Sequence, residues 1–321
     1  MEDGPPPSRH LGIDLGGTNI KWVVVEHDAG QWRALDRGQV ETPAADGPDA
    51  VVGRLIEVGV EAMERLPGVT SVGIGIPGLY DPAAGTIRFL VNIPGAWDGV
   101  PVAGPVGAAL GLPAALINDA RAFGLAELRL GAARGAASMV GLTLGTGIGG
   151  VIAIDGRVHQ GHDGTGGELG HQTLEPDGPP CGCGNRGCLE AFARADRIAA
   201  ACGTATAEAG VQAARAGDPT AVAGLLEIGR YLGIGIANMV VVITPDVVVL
   251  GGGISAAFDL LRDPIEAELR ARVRTTSLDG VRLVPAELGT WAGGIGAAIH
   301  GAETAAAAND PAFARASVRA R

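Results

Sequence analysis

The sequence predicts an α/β protein of two lobes, and three observations carry that prediction. Of the 321 residues 47% are hydrophobic but only 3% aromatic, so the core must come from Val, Ile, Leu and Ala, as in strands buried beneath helices. The 53 glycines supply many tight turns. An apolar strand that runs into a glycine turn and straight out into another strand occurs twice, as IDLGGTNIK at 13–21 and LTLGTGIGGVIAI at 142–154. Two copies of one supersecondary unit point to a duplicated architecture.

In chain order, HLGIDLG and IKWVVVEHD read as two strands joined by a Gly-Gly turn, with a third strand at 31–42. Residues 48–66 carry helical spacing, and VTSVGIGI is a buried strand that ends at Pro77-Gly78. A loop region is expected through Asn92 and Trp97, then a short helix near 104–111, the strand AALIN and a helix that begins at Asp119. SMVGLTLG and GVIAIDG form the second strand, turn and strand unit. A cysteine-containing loop follows, then a largely helical stretch to about residue 243. DVVVLGGG is a late strand with a glycine-rich exit, followed by a helix at 256–275, the strand VRLV and a Gly/Ala-rich helix at 292–304. The Ala-rich tail beyond is expected to be mobile.

Charge and composition exclude several classes. The formal net charge is −11 and no stripe of Lys or Arg breaks it, so neither nucleic acid nor an anionic membrane is an expected partner. MEDGPPPSRH has no basic segment followed by an apolar one, which argues against a secretory signal and for a cytoplasmic location. The most apolar window, Leu232 to Ile243, is Gly-rich, interrupted by Asn238 and too short to span a bilayer; it reads as a buried helix.

Three of the four cysteines fall within the run HQTLEPDGPPCGCGNRGC, from His171 to Cys188. One histidine and three thiols are the ligand set of a closed, tetrahedral structural zinc site. A reducing compartment favours that reading over a disulfide, and Cys181 and Cys183, one residue apart, would make a strained bridge. Cys202 stands alone in an Ala-rich helical pattern and reads as a small buried hydrophobe. Glu168 and Glu190 flank the loop and are not needed for the metal.

The glycine turns invite two readings. Gly145, Gly147 and Gly150 satisfy GxGxxG, but the Rossmann fingerprint needs a helix after the glycines and Val151 onward is strand-like. A hairpin whose glycines expose backbone N–H groups to an anion, with the positive φ of a nest, fits better. The same physics applies to Gly16, Gly17 and Thr18, and a third glycine run follows at 251–253. Either turn alone could be structural. Asp14 beside the first turn could hold a phosphate-bound magnesium or cap the turn. Asn118-Asp119 opens a helix, where Asp is a common N-cap, but strand ends in open α/β sheets also bind ligands. A hydroxyl that attacks a phosphoryl group needs such a carboxylate for its proton.

Together IDLGGTNIK, GIGIPG, the NDA of LINDARAFGLAE, LTLGTGIGG, GELGH, CGCGNRGCLE and VVVLGGG resemble the sugar kinases and regulators of the ROK family, from about residue 11 to about 300. GELGH followed by CGCGNRGC is the most specific of these. The resemblance implies an actin-like ATPase fold with two ribonuclease-H-like lobes and ATP and sugar in the cleft between them. The smaller lobe would comprise 9–119 with the helix at about 292–304, the larger 120–291 with the zinc loop 171–188, and 305–321 would be a disordered tail. Asp119 matches the base that deprotonates the sugar. Asn92, Asn118, Asp119, Glu168, His171 and Glu190 match the residues that hold it, with His171 also a zinc ligand beside Cys181, Cys183 and Cys188. Asp14, Gly16, Gly17, Thr18, Asn19 and Lys21, with Gly145, Thr146, Gly147, Gly252 and Gly253, fall to the phosphates of ATP and their Mg²⁺.

The implied activity is ATP-dependent phosphorylation of a hexose 6-hydroxyl, most simply of glucose, by a homodimer or higher homo-oligomer. Another hexose, an N-acylhexosamine or a C7 cyclitol as substrate, polyphosphate as donor, or a non-catalytic sugar sensor are the alternatives. Family repressors carry an N-terminal winged helix that this chain is expected to lack. Arg121 departs from the Asn common after the base, Phe123 replaces a small residue, and Gly166 replaces a common Ala. Gly166 could leave extra room for a sugar, and Arg121 could contact a phosphate, pair with an acid or face away.

Overall fold

A computed structural model describes residues 6–308. The elements in order are β1 Ser8–Leu15, β2 Asn19–Asp28, β3 Gln31–Glu41, α1 Pro48–Arg65, β4 Val69–Ile76, β5 Gly78–Asp81, β6 Thr86–Leu90, α2 Ala103–Leu110, β7 Ala114–Asn118 and α3 Asp119–Arg129. They continue with β8 Met139–Leu144, β9 Ile148–Ile154, β10 Arg157–Val158, α4 Leu189–Ala193, α5 Ala195–Ala201, α6 Ala207–Arg215, α7 Pro219–Ile243, β11 Val247–Gly251, α8 Phe258–Arg272, β12 Arg282–Pro285 and α9 Ala292–Ala308. The chain forms two compact units. The first holds the described residues to Leu130, His162–Thr165 and those from Thr290 on; the second holds Gly131–Gly161 and Gly166–Gly289.

The first unit is built on a five-stranded sheet of order β3-β2-β1-β4-β7. β1 pairs antiparallel with β2 through the Gly16-Gly17 turn and parallel with β4, which pairs parallel with β7. The second unit repeats the plan as β10-β9-β8-β11-β12, again an antiparallel hairpin followed by parallel neighbours. The repeat expected from the two glycine motifs is therefore a repeat of sheet topology. The central strands β1, β4, β8 and β11 are almost wholly buried, as their unbroken apolar runs require.

Close backbone packing holds α9 on the first sheet. A Cβ at Gly12 of β1 would overlap the carbonyl oxygen of Gly294, and one at Gly73 of β4 would overlap that of Ala297. Only hydrogen at these two positions lets the helix lie this near the strands. α3 packs on α9 in the same manner, with the Ala122 carbonyl against Gly296.

Three expectations need correction. The stretch before Asn92 is not all loop: β5 and β6 pair antiparallel around a turn in which Asp81 Oδ1 accepts the N–H groups of Ala83 and Ala84. Tyr80, Ile87 and Leu90 bury the hairpin's inner face. The apolar window Leu232–Ile243 is the end of a 25-residue helix that starts after the Asp218 cap, so α7 is long and apolar enough to cross a membrane by length and composition. Half of its most apolar window is buried in the unit's core. Asn238 does not break the helix; its amide donates to Gln172 Oε1 at 3.3 Å. The disordered tail expected at 305–321 begins inside α9, whose helix runs to Ala308, and its remainder lies outside the described residues.

The α9 packing yields a paired prediction. Gly12→Ala should lower the free energy of unfolding in urea by about 2 kcal/mol, the scale of forced overpacking. Gly53→Ala, in α1 with nothing within 4 Å of the new methyl, should raise it by up to about 1 kcal/mol through helix propensity.

Candidate functional site

The parallel register of the first sheet sets the carboxyl ends of its central strands level. Asp14 pairs with Gly75 across β1 and β4, and Ile76 pairs with Asn118 across β4 and β7. Asp14 and Asp119 consequently sit near enough to feel each other's charge. Burial first, and the Asp119 carboxylate second, push the Asp14 carboxyl up to about 7, against the opposing pull of Lys21. Two carboxylates that repel each other in a half-buried place can share a proton or hold a hard divalent cation, whose ligands are oxygens.

Asn118 settles what Asp119 is not. The N-cap of α3 is Asn118, whose Oδ1 accepts the N–H groups of Ala120 at 3.1 Å and Arg121 at 3.3 Å. Its Nδ2 donates to the Gly78 carbonyl at 3.2 Å. Asp119 is the first residue inside the helix, with Oδ1 accepting the N–H of its neighbour Ala120 at 2.8 Å. The capping role that would make Asp119 ordinary thus belongs to the residue before it.

The first glycine turn is pinned from outside by Thr42, a residue that sequence reasoning missed. Its Oγ1 donates to the Gly16 carbonyl at 2.7 Å and its N–H to the Thr18 carbonyl at 2.9 Å. The only hint was a threonine just past a strand end. Asn92 adopts a left-handed φ of 63°, and a Cβ at Gly17 would stand 2.8 Å from its carbonyl oxygen. Lys21, opposite Asp14 in the hairpin, donates to the Thr290 carbonyl at 3.2 Å. Asn19 accepts the Gly16 N–H at 3.0 Å through its carbonyl, and Thr18 is exposed.

The expected positive φ is absent from both hairpin turns: Gly16, Gly17, Gly145 and Gly147 all lack it. Glycine serves there for close approach, with Gly16 against the Asn19 carbonyl and Gly147 against Glu190. Gly252 is the residue of the set that does use left-handed space, at φ 83°, where it passes over the backbone of Leu144. In the second turn the Gly145 N–H closes onto the Gly147 carbonyl at 3.0 Å and Thr146 is exposed at the tip. Gly253 opens a 3-10 turn after β11.

In the second unit His171, Cys181, Cys183 and Cys188 converge, their ligand atoms all within 4.8 Å of one another. His171 Nδ1 lies 3.6 Å from Cys181 Sγ, and Cys183 Sγ lies 3.8 Å from Cys188 Sγ. Metal–sulfur bonds of about 2.3 Å and metal–nitrogen bonds of about 2.0 Å at tetrahedral angles would set such atoms about 3.5–3.8 Å apart. No disulfide joins the described cysteines. The donors fit a tetrahedral transition-metal ion. Burial pushes the Cys181 thiol up to about 12 and raises that of Cys188, so an ion must displace protons to enter.

Backbone bonds shape the loop. The Cys181 N–H donates to the Asn185 carbonyl at 2.9 Å, and the Leu189 N–H to the Gln172 carbonyl at 3.0 Å. Glu168 precedes the 3-10 turn that carries His171 and is exposed. Glu190 lies in the first turn of α4, with Oε2 accepting the Ile148 N–H at 2.9 Å. Arg121 and Phe123, the departures beside Asp119, are buried at 1% and 6% exposure, and Arg121 carries its charge toward the Tyr80 phenol. Gly166 makes room for its own loop, because a Cβ there would stand 2.7 Å from the Gly161 nitrogen.

Metal analysis of the purified chain should find one tightly held transition-metal ion per chain, and Cys183→Ser should hold none. Retention of the full equivalent by that variant would show that the four donors do not act together.

Comparison with known proteins follows this geometry closely. The chain is 34% identical to the glucokinase of Thermotoga maritima over 314 residues, covering 91% of this chain and 97% of that protein. Among solved structures, the ROK hexokinase from Thermus thermophilus superposes with a TM-score of 0.80 at 37% identity, covering 92% of this chain and 99% of that one. The ROK family glucokinase from Streptomyces griseus in complex with glucose and AMPPNP gives 0.76 at 32% identity, covering 92% and 100%. The fold is the actin-like ATPase fold of these sugar kinases. The profile of the ROK family matches residues 10–302, and the chain belongs to that family.

Proposed function

We propose that this chain is an ATP-dependent hexose kinase that phosphorylates a sugar 6-hydroxyl, with glucose as its substrate. The observation that carries the reading is Asp119: a half-buried carboxylate at a strand end, relieved of capping by Asn118 and within the field of Asp14. Its relatives from Thermotoga maritima and Streptomyces griseus are glucokinases, the latter with glucose and AMPPNP bound.

In this reading the sugar hydroxyl attacks the γ-phosphorus of ATP while Asp119 accepts its proton and the bond to the β,γ-bridging oxygen breaks to release ADP, so the nucleophile is an alkoxide only as the new bond forms. Asp14 holds Mg²⁺, which neutralises charge on the phosphates. The turns at Gly16, Gly17, Thr18 and Asn19 and at Gly145, Thr146 and Gly147, with Gly252 and Gly253, border the phosphates and offer the N–H groups that the turns themselves do not use, those of Gly16 and Gly145 being spent on the Asn19 and Gly147 carbonyls, and Lys21 adds a positive charge. Asn92, Asn118, Glu168, His171 and Glu190 hold the sugar hydroxyls, for which carboxylates and amides are matched acceptors and donors. The metal of the cysteine loop is structural zinc. His171 would hold it together with Cys181, Cys183 and Cys188, and its ring would also contact the sugar. The first unit carries the base and the magnesium, and the second the zinc loop.

Arg121 and Phe123 are buried and Gly166 is seated against its own loop, which supports reading these three departures as packing and glucose as the substrate. The working form is a cytoplasmic homodimer. A net charge of −11 supports a small-molecule partner over nucleic acid.

An assay of sugar phosphate formed from hexoses, N-acylhexosamines and cyclitols, with ATP or polyphosphate as donor, should single out glucose with ATP. Asp119→Asn should lower kcat by at least about a hundredfold, the scale of a lost general base. Sugar binding without turnover on any acceptor would instead identify a sensor.

A further inference from the structure

We propose that the segment Cys188–Ala195, which leaves the cysteine loop as α4, positions the phosphate-facing turn Gly145–Gly147, with Glu190 as the positioning residue. The inference rests on the kinase reading, because that reading assigns the turn to nucleotide phosphates. It adds to the sugar contact given to Glu190 a second task on the nucleotide side.

The segment grips the turn at both ends. At the exit, Glu190 Oε2 accepts the Ile148 N–H at 2.9 Å. At the entry, the Ala195 N–H donates to the Gly145 carbonyl at 2.9 Å. The carboxylate also lies on the turn itself, since a Cβ at Gly147 would stand 2.6 Å from Glu190 Oε2. Its other oxygen, Oε1, is 3.6 Å from Cys181 Sγ, inside the cysteine cluster. One side chain therefore touches both the cluster and the turn.

The grip is itself anchored. Phe192 of α4 stacks on Tyr231 of α7 with ring centroids 4.1 Å apart and 14° between planes. The Tyr231 hydroxyl donates to Glu175 Oε1 within the cysteine loop at 3.2 Å. A phosphate-facing turn whose tip residue Thr146 is exposed has few contacts of its own to order it. Order supplied in advance by α4 lowers the entropy lost when phosphate binds, so it should appear as nucleotide affinity before any sugar is present.

Two variants separate this role from general damage. Glu190→Ala removes the acceptor for Ile148, whereas Glu190→Gln keeps an oxygen able to accept it. Ala195→Pro removes the donor to Gly145 and sets its Cδ against that carbonyl, at the first residue of α5, where proline suits a helix and the preceding Arg194 is already extended. The readouts are amide hydrogen exchange over 143–150 and the affinity for AMPPNP in the absence of sugar.

Glu190→Ala and Ala195→Pro should each speed exchange in the turn and weaken AMPPNP binding by about tenfold, the scale of one lost hydrogen bond to a charged or buried partner. Glu190→Gln should stay within about threefold of the native chain in both. Unchanged exchange in both disruptive variants, faster exchange with native AMPPNP affinity, or a Gln variant as impaired as Ala would each overturn the inference. If the native chain itself takes up no AMPPNP, the kinase reading fails and takes this inference with it. Native binding that Glu190→Ala and Ala195→Pro leave intact removes the inference alone.

Discussion

Two carboxylates forced toward each other are the constraint around which the first unit is arranged. Parallel pairing of β1, β4 and β7 brings Asp14 and Asp119 to one end of the sheet, and burial raises the cost of ionising Asp14 there. That cost is tolerable only if the surroundings are rigid. Backbone-to-helix contact at Gly12 and Gly73 fixes the strands against α9, and Gly293 at the start of α9 brings the helix against Asp14, where a Cβ would stand 2.5 Å from Oδ2. Lys21, on the neighbouring strand, supplies the compensating charge. A group poised between protonated and ionised near neutral pH is one whose state a bound cation can change.

The second unit uses the same sheet order for a different end. Its hairpin turn carries no acid; the titratable groups sit in a loop outside the sheet, where backbone bonds and four metal-ligating side chains replace strand pairing as the source of order. α4 returns from that loop to the hairpin, so the two copies of the glycine motif are braced differently: Thr42 for the first, Glu190 and Ala195 for the second. Duplication supplied the frame, and the bracing was fitted to each copy.

Much of this was legible in the sequence because it depends on local pattern. Unbroken apolar runs announced the central strands, and the spacing of one histidine and three cysteines announced the cluster, since ligand type and count are written in the chain. What was not legible depends on partners distant in sequence. The β5–β6 hairpin escaped notice because LYDPAAGTIRFL has no clean alternation, and its register comes from an Asp81-centred turn. The capping of α3 by Asn118 and not by Asp119 turns on one residue of helix phase. Thr42 supports a turn 26 residues away, and nothing in the local pattern marks it. The glycines were found partly for a mistaken reason: those of the hairpin turns lack positive φ, and Gly16, Gly17 and Gly147 are there for close approach. Arg121, conspicuous as a charge beside Asp119, is buried within the first unit, which no sequence pattern signals.

The central claim, that Asp14 and Asp119 form an interacting pair, can be read from one titration. Carbon-13 NMR of the aspartate carboxyl groups should find Asp14 titrating near pH 7, with its midpoint lowered but still above the ordinary aspartate range in Asp119→Asn, because burial remains when the neighbouring charge is gone. An Asp14 midpoint near 4 in both proteins, the ordinary aspartate value, would contradict the account.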